Sequence, residues 1–158
     1  MAVDPGFGRK TRAEARIKDT MTYDPNNIFA KILRGEIPCH KIYEDDHTLA
    51  FMDVMPQVEG HCLVIPKAPS RGLLDADSTL LAHLMDTVQK VAAATVQATS
   101  ADGFQIRQYN ESAGGQTVFH LHVHVLPMKE GMPLKPHSAK MADHGELAAM
   151  AAAIKSQL

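Results

Sequence analysis

Between Phe119 and Val125 the chain alternates strictly, with apolar residues at Phe119, Leu121, Val123 and Val125 and imidazoles at His120, His122 and His124. Neighbouring side chains of an extended strand point to opposite faces. The spacing therefore predicts one strand within 116–127 that carries the three histidines on one face and an unbroken apolar row on the other. A helix would scatter them. Similar but shorter patterns precede this stretch. Lys41 to Glu44 and Thr48 to Val54 read as an antiparallel hairpin about the Glu44-Asp45-Asp46-His47 turn, and Gly60 to Pro66 as a third strand stopped by Pro66 and Pro69. Phe104 to Tyr109 alternates as a fourth strand, so the histidine strand is the fifth.

Helical spacing appears in three places. Asn27 is suited to cap a short helix from Ile28 to Arg34 that ends at Gly35 and Pro38. From Ser78, Leu80, Leu81, Leu84, Val88, Val91, Ala92 and Thr95 recur every three or four residues, predicting an amphipathic helix that ends between Thr99 and Gly103, with His83 facing solvent. Glu146 to Leu158 is alanine-rich and reads as a last helix, after an irregular stretch from Met128 to His137 broken by Gly131, Pro133 and Pro136. These elements make an α+β fold: an antiparallel sheet of about five strands with one long helix and short flanking helices. Residues 1–26 carry Arg9, Lys10, Arg12, Arg16 and Lys18 with little apolar periodicity and read as a flexible tail. Residues 27–127 form the domain, and 128–158 a C-terminal extension with a helix.

Composition narrows the setting. A chain of 158 residues that is 45% hydrophobic fits one domain with a real core. Its formal net charge of −2 offers no general attraction to nucleic acid or to an anionic membrane surface. No apolar run approaches the roughly 20 residues needed to span a bilayer. Cys39 and Cys62 match no metal or redox spacing and read as free thiols of a reducing, cytoplasmic compartment.

Three imidazoles on one strand face admit three readings: chance placement on a solvated face, metal ligation, or covalent and acid–base chemistry at an anionic substrate. Directly before them runs Asn110-Glu111-Ser112-Ala113-Gly114-Gly115-Gln116-Thr117. Small residues and paired glycines let a backbone come close to a ligand and present amide donors of the kind that cradle phosphate oxygens. Phosphate then suits the cluster better than metal.

His120-Leu121-His122-Val123-His124-Val125 resembles the His-x-His-x-His signature of the histidine triad superfamily of nucleotide hydrolases and transferases. Asn27 to Ile32, Glu36-Ile37-Pro38, Tyr43 to Asp46, Leu49 to Val54, Gly60-His61 and Leu63 to Lys67 resemble its Hint branch in the same order. The resemblance implies a purine nucleotide substrate with an AMP-like product, a homodimer, and no cofactor. By the same resemblance Ile28, Phe29, Ile32 and Ile37 form one wall of a purine pocket, with Phe51, Met52 and Val54 opposite. Asp53, which read alone could simply cap the next turn, would accept the ribose hydroxyls.

The implied chemistry is a two-step nucleotidyl transfer. His122 attacks the α-phosphorus of a nucleoside phosphoramidate or adenylated compound, and water cleaves the nucleotidyl-histidine. A backbone carbonyl near His124 fixes the His122 tautomer. His124, Gln116, Thr117 and the Gly115 amide hold the phosphate oxygens, Asn110 completes the polar rim, and His120 with His61 buttresses from behind. Dinucleoside polyphosphates are the alternative substrate class, and a nucleotide-binding module with little turnover is the alternative role. The chain departs from the animal members, which end soon after the triad with a tryptophan; it has no Trp and is more similar to bacterial members with a C-terminal helix. Many bacterial members also carry a zinc-binding Cys-x-x-Cys before the first helix. Here those positions are Asn27 and Ala30, and a later histidine is replaced around Pro69, which leaves His120 alone and implies no structural metal.

Overall fold

The computed structural model describes residues 22–136 and 140–158. Along the chain run α1 (Ile28–Leu33), β1 (Lys41–Glu44), β2 (Thr48–Met52), β3 (Cys62–Pro66), α2 (Ser78–Thr99), β4 (Gly103–Arg107), β5 (Val123–Met128) and α3 (His144–Lys155). The five strands form one antiparallel sheet in the order β1-β2-β3-β5-β4, the α+β arrangement expected. Each helix begins at a residue able to satisfy its orphan amides. Asn27 accepts from the Ala30 N–H, Asp77 from Leu80, and Asp143 from Gly145 and Glu146.

The sheet is covered on both faces, because alternate residues of β2, β3 and β5 are apolar in both directions. One face, with Ala50, Met52, Cys62, Val64, Val123 and Val125, packs on α2 and α3, where Leu84, Val88, Val91, Leu147 and Ile154 complete the main core. The other carries Leu49, Phe51, Leu63 and Ile65 under Phe29 of α1. In antiparallel pairing directly opposed residues share a face. His124 is paired with Leu63, so β5 delivers it to the α1 side. β4 closes one margin of the sheet, where Phe104 and Ile106 are exposed beside Met85 of α2 and line a groove of about 660 Å³.

Two expectations change here. The strand expected within 116–127 begins only at Val123, so His124 is the one histidine of the three on regular strand. Upstream the backbone leaves the ladder because the Leu121 N–H donates to the Ser70 carbonyl at 2.7 Å. Residues 22–26 are also no loose tail: Arg71 Nη1 donates to the Thr22 carbonyl and Arg34 Nη1 to that of Pro25. The rest of the proposed tail, residues 1–21, lies outside the described residues.

Candidate active site

The three histidines still gather on the α1 side of the sheet, all buried. The His122 ring lies 5.0 Å from that of Phe29 and 5.1 Å from that of His124, and Tyr109 meets His124 edge-on at 5.7 Å. His122 keeps 5% of its surface open and His124 8%, while His120 and His61 are sealed.

Hydrogen bonds decide where each proton sits, since a neutral imidazole has one donor and one acceptor nitrogen and a carbonyl only accepts. His122 Nδ1 is 2.6 Å from the His120 carbonyl, so Nδ1 carries the proton and the lone pair stays on Nε2. The acceptor is thus the carbonyl of His120, not one near His124 as expected, because the backbone turns toward Ser70 just before the strand. Burial pushes the His122 pKa below 6.5, with the His120 carbonyl and Asp53 opposing. His120 Nε2 faces the Pro66 carbonyl at 2.8 Å and must donate, which leaves Nδ1 to accept from the Tyr23 hydroxyl at 2.7 Å. Burial lowers this pKa as well, with the Pro66 carbonyl opposing.

A second relay supports His124. The Gln57 N–H donates to His61 Nδ1 at 3.1 Å, so His61 holds its proton on Nε2 and gives it to His124 Nδ1 at 2.9 Å. His124 in turn carries its proton on Nε2. Asp53 faces both rings, its Oδ2 lying 3.4 Å from His61 Nε2 and 3.9 Å from His124 Nδ1, while its Oδ1 caps the following turn through the Met55 N–H. His61 and His120 therefore buttress two different neighbours. Asp53, His61 and His124 are also the group among the described residues whose ligand atoms, all within 4.8 Å of one another, could receive a cation.

The glycine loop is tied down from within. Gly114 and Gly115 give their amides to the carbonyls of Glu111 and Ser112, and Gln116 gives its own to Glu111, so the Gly115 amide is engaged inside the turn rather than presented to a ligand. Gln116, 3% exposed, is likewise turned inward. Its Nε2 donates to the carbonyls of Arg71 and Val118, and its Oε1 accepts from the Glu111 N–H. Asn110 accepts from the Leu73 N–H and joins two loops, and Thr117 is exposed. Gly115 has φ +94, and a Cβ there would meet the Tyr109 ring at 3.4 Å.

The expected base pocket divides. Phe29 and Phe51 meet edge-on at 5.5 Å, Ile32 packs beside them, Ile28 is exposed and Ile37 half-buried. Met52 and Val54 instead pack into the main core across the sheet, and Met52 lines a cavity of about 610 Å³ beside α3. Strand alternation forces Phe51 and Met52 apart.

Sequence reasoning missed Tyr23 and the clamp of Arg71 on Glu111. Arg71 Nε and Nη2 reach the two Glu111 oxygens at 2.7 and 2.9 Å, and the guanidinium lies 4.1 Å over the Phe119 ring. Tyr23 had a faint signal, as the lone aromatic in a polar stretch. Arg71 had none, since nothing local pairs it with a residue 40 positions away.

Comparison with known proteins identifies the family. The family model of the HIT domain matches residues 34–131. An adenylylsulfatase of Arabidopsis thaliana, HINT3, is 36% identical over 129 residues, spanning 78% of this chain and 66% of that protein, so the chain covers just under two thirds of its length. An uncharacterized HIT-like protein of Synechococcus elongatus is 48% identical over 104 residues, 64% of this chain and 89% of that one. The crystal structure of a Hit-like protein of Bartonella henselae, described as involved in cell-cycle regulation and holding an unknown ligand, aligns with a TM-score of 0.82 at 48% identity, over 87% of this chain and all of the other. With the domain model matching residues 34–131, a span that includes all three histidines of the triad, the chain belongs to the HIT family.

Proposed function

We propose that the protein is a purine nucleotide hydrolase or transferase that cleaves at the α-phosphate of nucleoside phosphoramidates or adenylated compounds through a nucleotidyl-histidine. The observation that carries this reading is the 2.6 Å contact of His122 Nδ1 with the His120 carbonyl, which leaves the lone pair on Nε2 in a ring that keeps a small part of its surface open. A nucleophilic imidazole must be unprotonated, and burial favours the neutral ring at physiological pH.

In the first step His122 Nε2 bonds to the α-phosphorus as the bond to the leaving group breaks. In the second, water displaces His122 and releases the nucleoside monophosphate. His124, with its proton on Nε2, stabilises the charge that builds on phosphate oxygen, with exposed Thr117 alongside. Gln116, the Gly115 turn and Asn110 shape the rim. Phe29, Phe51, Ile28, Ile32 and Ile37 take the base, and Asp53 the ribose hydroxyls. The name of the Arabidopsis relative, adenylylsulfatase, is in keeping with an adenylated substrate. The free thiols Cys39 and Cys62 suit a cytoplasmic setting. The exposed Met85, Phe104 and Ile106 support a homodimer joined along the β4 margin.

The test is turnover of adenosine phosphoramidate. His122→Ala should lower kcat at least ~1000-fold, about 4 kcal/mol of barrier, and abolish the nucleotidyl-protein adduct trapped by acid quench. A variant keeping more than about a tenth of the wild-type rate ends the proposal.

A further inference from the structure

Tyr23 lies before the matched domain, yet its hydroxyl reaches 97 positions along the chain to the first histidine of the triad. The segment bearing it is held from three sides. Arg71 binds the Thr22 carbonyl, Arg34 binds the Pro25 carbonyl at 2.7 Å, and the Asp24 carbonyl accepts from the backbone and side-chain amides of Asn27, the cap of α1. The Tyr23 ring stands edge-on to His120 at 5.6 Å. This is a strap locked onto the domain, with one polar atom aimed at a sealed imidazole.

We propose that Tyr23 is a positioning residue for His122, acting through His120; the proposal rests on His122 being the nucleophile. His120 is a two-ended brace. Its Nε2 proton is committed to the Pro66 carbonyl, so its Nδ1 needs a donor, and the Tyr23 hydroxyl is that donor. Its backbone carbonyl then receives the His122 Nδ1 proton. Hydroxyl, ring, carbonyl and nucleophile form one directed chain in which every proton has a single destination. Without the hydroxyl, a buried acceptor loses its partner and the ring is free to take a proton or turn. Either change moves the carbonyl that aims His122, and a cation at His120 would also disfavour the neutral nucleophile next to it. Tyr23 touches no reacting atom, so its loss should appear in kcat and leave KM alone.

The experiment uses the full 158-residue chain with ¹⁵N-labelled histidine. In the wild type, imidazole NMR should find His120 neutral at pH 7, with the proton on Nε2 and a hydrogen-bonded lone pair on Nδ1. Tyr23→Phe should move the Nδ1 signal to that of an unbonded nitrogen and raise the pH at which His120 titrates. On adenosine phosphoramidate it should lower kcat roughly 5- to 30-fold, with KM within about twofold and the acidic limb of the pH–rate profile moved upward. A wild-type His120 with its proton on Nδ1 overturns the proposal, and needs no variant to fold. So does a Tyr23→Phe protein whose kcat and acidic limb match the wild type. Absence of wild-type turnover would instead strike the proposed reaction, while the spectrum still decides whether Tyr23 sets the His120 tautomer.

Discussion

Replacing Gly60 by alanine tests how the segment before His61 is held. Gly60 has φ +85, and an added Cβ would stand 2.7 Å from Thr99 Cγ2, 3.0 Å from Pro127 Cγ and 3.3 Å from Thr95 Cγ2. The left-handed backbone costs an L-residue about 1–2 kcal/mol. Crowding against α2 and β5, both fixed by the main core, adds roughly 1–3 kcal/mol. The loss of unfolded-state freedom returns about 0.4–1 kcal/mol, for a net destabilisation of about 2–4 kcal/mol. At roughly 2–4 °C per kcal/mol for a chain of this size, Tm should fall by about 5–15 °C. Two glycines separate the terms. Gly35, at φ +75 with nothing within 4 Å, carries strain without crowding, and Gly35→Ala should cost about 1 kcal/mol or less. Gly103 has open space and no positive φ, so Gly103→Ala should stay within about 0.5 kcal/mol of the wild type. Urea and thermal unfolding of the three variants give the comparison. Equal losses for Gly60→Ala and Gly35→Ala would refute the crowding, and a Gly60→Ala protein as stable as the wild type would refute both terms.

Stability should also follow pH through the buried histidines. His120 and His122 are held below 6.5 by burial, so on acidification the unfolded chain takes up protons that the folded one refuses. Their contribution is complete above about pH 6.5 and is lost as pH falls from there toward the depressed folded values, and a Tm that is flat between pH 7.5 and 5 would contradict it. Arg71→Ala removes both bonds to Glu111 and the stacking on Phe119, which, discounted for partial exposure, should cost about 1–2 kcal/mol. Amide exchange over residues 111–117 should then quicken, and unchanged protection would rule the clamp out. Ile154→Ala empties a fully buried site where α3 meets the main core and should cost about 2–5 kcal/mol in denaturant unfolding; a loss below about 1 kcal/mol would mean that α3 is not part of the folding unit.

Much of this fold was legible because its signals are local. Asn27 and the Ser78 start of α2 sit where capping chemistry and apolar spacing put them, and α2 ends at Thr99, at the near edge of the expected range. The five strands were legible from alternation and turn residues, while their order in the sheet is set by pairings distant in sequence. The site was legible in identity but less so in geometry. Alternation around His120 to Val125 separated the imidazole side from the apolar side correctly. It overstated the strand, because what bends the chain before Val123 is a bond to Ser70, far away in sequence. Gln116 looked like a ligand donor because its three backbone partners exist only once the loops close. His83, expected in solvent, stacks on His47 at 3.7 Å between α2 and the β1–β2 turn. Met52 was misplaced for another reason: its position after Phe51 already put it on the other face, and the family likeness outweighed that parity.

Arg107 of β4 is directly paired with His124 of β5, so the last histidine of the triad sits one strand in from the outer rim of the sheet. A second copy docked on Phe104 and Ile106 would brace that ladder from outside. Dilution that separated the copies would then slacken the strand that holds His124, and under the proposed function specific activity would depend on protein concentration.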